Sequence, residues 1–335
     1  MLLAVGQFIA GVVMLLLGGE GVVRGASRLA ALARMSPLFI GLTIVSLGTS
    51  APEMAVSVAT AMEGKADITI GNVVGSNLFN MLMIVGVSAA FMALPVDRQI
   101  TFFDVPVMLA ATVAMFLMGI DGDIGRVDGF FLIGAVCLYF VASFRFGKRN
   151  VGAGQSDAMA TVMGEHYVAP EKQPLGRFLL SLLLNALLLS LGIAGLVLGC
   201  DWFVDASVYF ARVLGLSETV IGLTIVSAGT SLPELVTSVA ATIKGERGIA
   251  IGNAVGSTTL NILAVLGVTG VVATEGVSVA PSVQWVDIPV MIGCAALSWI
   301  FFRTDREIGR LEGWGLMGVY GVYLAFLLAR NGVFG

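Results

Sequence analysis

GLTIVSLGTSAPE, residues Gly41–Glu53, recurs almost unchanged as GLTIVSAGTSLPE, residues Gly222–Glu234. Each copy ends on a carboxylate set alone in a long apolar stretch. On membrane-insertion scales a charge at mid-span costs about 2.5–3.5 kcal/mol. A chain that carries this cost twice, at matching positions, is expected to use both groups to hold something cationic.

The likeness reaches beyond the two motifs. Gly41–Asn80 and Gly222–Asn261 agree at 23 of 40 positions, at a constant offset of 181 residues. Glu20 and Asp201 keep the same offset. DVPVM (Asp104–Met108) is echoed by DIPVM (Asp287–Met291), and IGRVDGF (Ile124–Phe130) by IGRLEGW (Ile308–Trp314). The chain reads as two copies of one unit.

Composition says where those units reside. The 335 residues are 57% hydrophobic and 12% charged, with a mean hydropathy of +0.97, far outside the soluble range. Apolar runs long enough to span a bilayer predict ten helices, at 3–23, 38–62, 68–94, 102–119, 127–145, 178–200, 219–243, 248–273, 284–302 and 313–329. The first run follows no basic residue and meets no clear cleavage site, so it is expected to be a span and not a removable signal peptide. Alternate connections carry 14 of the 18 Lys and Arg, which favours both termini outside.

The expected fold is therefore an all-α membrane protein with ten transmembrane helices, multi-pass in the plasma membrane. Its two five-helix repeats would be 1–145 and 177–335, with 146–176 a cytoplasmic linker rich in Gly, Gln, Ser and mixed charge. Five is odd, so the second repeat must enter the membrane inverted. Inverted repeats mark secondary transporters, with the binding site near the midplane where the repeats meet.

The residues around the two carboxylates are all oxygen donors. Pro52 and Pro233 lack an N–H and disturb the carbonyls of Gly48 and Gly229, four residues earlier. Freed carbonyls at membrane depth are tolerated where they line a cavity or find a new partner. Thr49, Ser50, Thr230 and Ser231 add hydroxyls within a turn. The next span of each half, GNVVGSNLFN (Gly71–Asn80) and GNAVGSTTLN (Gly252–Asn261), places Ser76 with Asn80, and Ser257 with Asn261, on one face. Gly71 with Gly75, and Gly252 with Gly256, permit close helix approach to the Glu-bearing helix. An oxygen set without His or Cys suits a hard cation such as Ca²⁺ and not zinc or copper. Glu20, Asp201, Asp104 and Asp287 lie nearer span ends and read as interfacial or helix-end residues. Cys137, Cys200 and Cys294 are unpaired in spacing and read as packing residues.

At these motifs the chain resembles the cation/Ca²⁺ exchanger superfamily, specifically its prokaryotic Na⁺/Ca²⁺ exchanger branch. GTSAPE/GTSLPE and GNVVGSN/GNAVGST match that family's two α-repeats, and the likeness covers essentially the whole chain. The resemblance implies alternating access with three Na⁺ exchanged for one Ca²⁺. It implies a ligand set of Ser46, Thr49, Ser50, Glu53, Ser76 and Asn80 from the first half, and Ser227, Thr230, Ser231, Glu234, Ser257 and Asn261 from the second. Two departures stand out. Asn261 occupies a position where some prokaryotic exchangers carry an acid, and Thr258 interrupts the more usual GSN. Ser46 and Ser227 stand where an Ala offers its carbonyl in some relatives.

The H⁺-coupled branch of the superfamily typically carries a further Glu after the GN, and Val73–Gly75 and Ala254–Gly256 offer none. Proton-coupled cation antiport is the alternative expectation. An enzyme is not expected: the single histidine, His166, lies in the polar linker, and no core span carries a Lys. No cofactor, nucleic acid or obligate protein partner is expected; Ca²⁺ and Na⁺ are the substrates and the lipid bilayer the surroundings. The Gly-rich first helix of each half (Gly18, Gly19, Gly21, Gly25; Gly192, Gly195, Gly199) could slide to switch access.

Overall fold

The computed structural model describes residues 1–33, 35–62, 67–149, 174–215, 227–274, 276–304 and 306–330. Among these, eight helices are long and apolar enough to cross a membrane, and one bent pair makes a ninth crossing. They are α1 (Leu2–Ala33), the bent pair α2 (Pro37–Thr49) and α3 (Ala51–Met62), α4 (Ile68–Phe91), α5 (Ile100–Asp121), α6 (Arg126–Phe146), α7 (Leu175–Val213), α9 (Arg247–Val272), α10 (Val283–Arg303) and α11 (Arg310–Arg330). The shorter α8 (Leu232–Ile243) belongs to the expected span at 219–243, whose first residues lie outside the described set. The expected linker falls almost wholly outside it as well.

Two helices are longer than the apolar runs foretold. α1 has 32 residues and α7 has 39. At 1.5 Å per residue, the second is about 58 Å long, roughly twice the hydrocarbon core. The expected connection from Arg24 is instead helical, because Arg24 pairs with Glu20 one turn earlier and nothing breaks the helix until Ala33. Glu20 also meets Lys244, at the end of α8. It is thus a paired mid-helix residue and not a helix-end one.

α1 and α7 run antiparallel along a seam of small residues. Gly11 meets Gly199, Gly18 meets Gly192, and Gly25 meets Asn185 and Leu189. The spacing is seven residues on both helices, the repeat of a left-handed coiled pair, and glycine lets the backbones touch. The opposite faces expose Leu16, Leu17, Leu184, Leu187 and Leu191, as lipid-facing surfaces should.

The two halves interlock reciprocally. Gly86 of α4 packs on Gly313 of α11, while its counterpart Gly267 of α9 packs with Gly129 of α6, the counterpart of Gly313. The short strands repeat this crossing. β1 (Leu94–Pro95) pairs antiparallel with β4 (Glu307–Ile308), and β2 (Asp123–Ile124) with β3 (Val277–Ser278). In each pair, the segment after one half's third span meets the segment after the other half's fourth.

The core is polar where the halves meet. Buried Ser, Thr and Asn side chains concentrate on α2–α4 and on α8 and α9. π-helical turns interrupt the helices at Gly41–Val45, Phe79–Ile84, Ile100–Asp104, Asn261–Leu266 and Val283–Asp287. Such turns re-aim side chains and are enriched at functional sites. Asn80, Asn261, Asp104 and Asp287 all lie in them.

Candidate functional site

The break between α2 and α3 turns the chain by 43°. Ser50 sits at that break with φ −81° and ψ 10°, and Ser231 has nearly the same backbone, φ −92° and ψ 7°. Pro233 occupies the first turn of α8, where a missing N–H costs nothing. Glu53 and Glu234 therefore each fall in the first turn of a new helix. The positive end of the helix dipole favours an anion there. The proline thus does more than free a carbonyl: it starts a helix whose N-terminus supports the carboxylate.

Glu53 is 1% exposed and Glu234 0%. Each is held by the other half. Ser50 Oγ donates to Glu234 Oε1 at 3.0 Å, and Ser231 Oγ donates to Glu53 Oε1 at 3.1 Å. Ser257 Oγ adds a second bond to Glu234 Oε1 at 3.4 Å. Neither carboxylate has a basic partner among the described residues; the ion pairs there join Glu20 to Arg24 and Lys244, and Asp287 to Arg330. Oε2 of both glutamates has no hydrogen-bond partner among the described residues.

The same is true of Ser76 Oγ, Thr230 Oγ1, Asn261 Oδ1 and both amide atoms of Asn80. Thr49 Oγ1 donates to Asn253 Oδ1 at 3.1 Å. No cluster of three His, Cys, Asp or Glu side chains exists among the described residues. A cation here would meet two carboxylates completed by neutral oxygens, the donor set of a Ca²⁺ or Na⁺ site.

Some expected donors are differently placed. The Ser46 hydroxyl donates to Gly41 O at 2.5 Å, the carbonyl that also accepts the Ser46 N–H across the π turn, and faces Gly252 O and Asn253 O. Its main-chain oxygen is what it can offer a cation. The Gly229 carbonyl is taken by the Cys200 thiol, so Cys200 has a polar role as well as a packing one. The side chain of Ser227 lies outside the described residues. Gly252 and Gly256 approach α2 of the opposite half closely, as expected of a small-residue pair, whereas Gly71 has no neighbour within 4 Å among the described residues.

Asp104 and Asp287 lie near the starts of α5 and α10, as helix-end residues, and are buried within the protein at 0% and 4% exposure. Tyr139 and Ser143 donate to Asp104, while Tyr323 and Arg330 hold Asp287.

Two asparagines were absent from the expected set. Asn253 Nδ2 donates to Glu234 O at 3.2 Å and to Ser238 Oγ at 3.1 Å. Asn72 repeats this with Glu53 O at 3.5 Å and Ser57 Oγ at 3.2 Å. They tie the backbone of each glutamate to the next helix of its own half. Their conserved offset in the GN dipeptides was the available signal. An orphaned buried polar group costs about 1–3 kcal/mol. Asn253→Ala orphans three partners, Asn72→Ala a longer and more exposed pair. Detergent-state thermal unfolding is therefore expected to fall clearly for Asn253→Ala and less for Asn72→Ala; equal shifts would contradict the geometry.

A crevice of ≈ 560 Å³ runs along α3 from Ser50 past Met54 and Val58 to Met62, with Leu260, Ala264 and Val265 opposite. Ser50, whose hydroxyl donates to Glu234, is among its lining residues.

Comparison with known proteins gives a consistent result. The family model described as "Sodium/calcium exchanger protein" matches residues 3–145 and 184–329. The sodium/calcium exchanger MaX1 of Methanosarcina acetivorans is 32% identical over 338 residues, 95% of this chain and 96% of that protein. The inner membrane protein YrbG of Escherichia coli is 31% identical over 330 residues, 98% of this chain and 97% of that one. Among solved structures, the sodium-calcium exchanger NCX_Mj soaked with 10 mM Na⁺ and zero Ca²⁺ superimposes with a TM-score of 0.80 at 27% identity, covering 97% and 98% of the two chains.

Proposed function

Because this chain belongs to the sodium/calcium exchanger protein family, we propose that it exchanges Na⁺ for Ca²⁺ across the plasma membrane by alternating access. The site is the oxygen cluster around Glu53 and Glu234, with Thr49, Ser50, Ser76, Asn80, Thr230, Ser231, Ser257 and Asn261 completing the shell. Ser46 contributes its main-chain oxygen, and Ser227 is its counterpart. The observation that carries this reading is the crossed pair of bonds, Ser50 to Glu234 and Ser231 to Glu53, with no basic side chain paired to either carboxylate among the described residues.

Two carboxylates in a dry site repel one another unless something positive lies between them. One Ca²⁺ neutralises both, and Na⁺ ions can replace it. A site stable only when occupied exchanges ions and does not leak. The reciprocal strand pairing supports two inverted halves, 1–145 and 177–335, while the apolar runs and the Lys and Arg distribution support ten spans with both termini outside. The α1–α7 seam supports the sliding of that pair as the step that alternates access.

The energetics suffice at three Na⁺ per Ca²⁺, the ratio the resemblance implies. Three Na⁺ descending a tenfold gradient release about 4 kcal/mol. One net charge adds about 2.3 kcal/mol per 100 mV. Raising Ca²⁺ against a ratio of about ten thousand costs roughly 5.5 kcal/mol.

The test is ⁴⁵Ca²⁺ uptake into proteoliposomes loaded with Na⁺. An outward Na⁺ gradient is expected to drive uptake. Because three Na⁺ leaving for one Ca²⁺ entering carries one net positive charge outward, an inside-positive potential is expected to speed it and an inside-negative one to slow it. Uptake driven by a pH gradient in Na⁺-free vesicles would favour proton coupling instead.

A further inference from the structure

One of the buried positions at which the two halves differ is residue 77, beside the site. Asn77 in α4 has Thr258 as its counterpart in α9, at the same offset of 181 residues. Thr258 Oγ1 turns back to Ala254 O at 2.9 Å, within its own helix. Asn77, fully buried, instead bridges the halves: Asn261 Nδ2 donates to Asn77 Oδ1 at 3.1 Å. That bond engages the amino side of the Asn261 amide and the oxygen of Asn77. Asn261 Oδ1 and Asn77 Nδ2, both buried, have no partner among the described residues. At the mirror position neither amide atom of Asn80 is partnered, because Thr258 bonds its own helix.

We infer that Asn77 is a positioning residue that fixes the Asn261 carboxamide with its oxygen, and not its NH₂, toward the cation. This rests on the reading that Asn261 belongs to the cation shell. An amide is two-faced: its oxygen ligates a cation, while its NH₂ carries partial positive charge and repels one. The terminal torsion of asparagine is broad and two-fold, so without an outside partner both faces are accessible. A carboxylate at position 261 would present oxygen either way and need no such support. The amide at 261 and the GSN at Ser76–Asn77 therefore act as one device. The halves contribute unequally: Asn261 is pre-set, and Asn80 is turned by the ion itself.

The experiment is a cycle of Na⁺-driven Ca²⁺ uptake kinetics with Asn77→Thr, Asn261→Asp and both. Thr is the residue the second half carries here, and Asn77→Ala repeats the test without a hydroxyl. In the parent chain Asn77→Thr is expected to raise the Ca²⁺ KM about fivefold, the scale of one neutral hydrogen bond, with kcat nearly unchanged. In the Asn261→Asp background the same change is expected to shift KM less than about twofold, because the orientation no longer matters. Equal shifts in both backgrounds would mean a merely structural role and overturn the inference. So would an unchanged KM in the parent while Glu53→Gln stops flux, an outcome that leaves the exchanger reading standing. Flux indifferent to Glu53→Gln overturns both.

Discussion

Glu53→Gln and Glu234→Gln are each expected to reduce Na⁺-driven Ca²⁺ uptake at least about a hundredfold. Truncating one member of a buried, hydrogen-bonded charge constellation costs about 2–5 kcal/mol, and about 2.7 kcal/mol is a factor of a hundred. Glutamine keeps the size of the side chain and the oxygen that accepts from Ser231 or Ser50. The fold should therefore survive while the charge that neutralises the divalent ion is lost. The two effects should be alike, because each carboxylate is buried and held across the interface in the same way. Circular dichroism and detergent thermal unfolding separate a lost site from a lost fold. Near-parental flux in either variant would remove that carboxylate from the site.

Gly18→Val or Gly192→Val is expected to lower the unfolding midpoint by several degrees and to stop exchange. A Cβ at Gly18 would fall 2.8 Å from Gly192 O and 2.8 Å from Leu196 N; one at Gly192 would fall 2.6 Å from Val22 N. These are backbone atoms of a facing helix, so no side chain can move aside and α1 and α7 must part. Overpacking of this kind costs about 1–3 kcal/mol. Gly6→Val is the control, since a Cβ there meets nothing within 4 Å. If Gly18→Val and Gly6→Val behave alike, the seam is not the contact that holds the two long helices together.

Sequence alone displayed the site's charged centre because membrane burial makes a lone carboxylate conspicuous. Glu53 and Glu234, with their flanking Thr and Ser, were legible from the offset of 181 residues. Asn72 and Asn253 were not. Their partners are main-chain carbonyls 19 residues earlier, and only the crossing of adjacent helices decides who meets whom. The π turns that carry Asn80 and Asn261 were equally hidden, because a one-residue slip in hydrogen bonding leaves no mark in apolar periodicity.

Helix length failed for a related reason. Arg24, Asp201 and Arg212 look like the ends of spans, yet they continue α1 and α7 because charge stops a membrane run and not a helix. Asp104 and Asp287 looked alike in DVPVM and DIPVM, but they differ once the last helix is placed. Arg330 reaches Asp287, whereas Phe146, at the end of α6, stacks on Phe103 beside Asp104. The strand pairs are two residues long, too short for any alternation to show.

A crystal of the parent chain soaked in Ca²⁺ and measured for anomalous scattering tests the central claim most directly. One calcium peak is expected between the halves, within about 2.3–2.6 Å of a carboxylate oxygen from both Glu53 and Glu234. A calcium peak that touches one glutamate alone, or lies away from both, would contradict it.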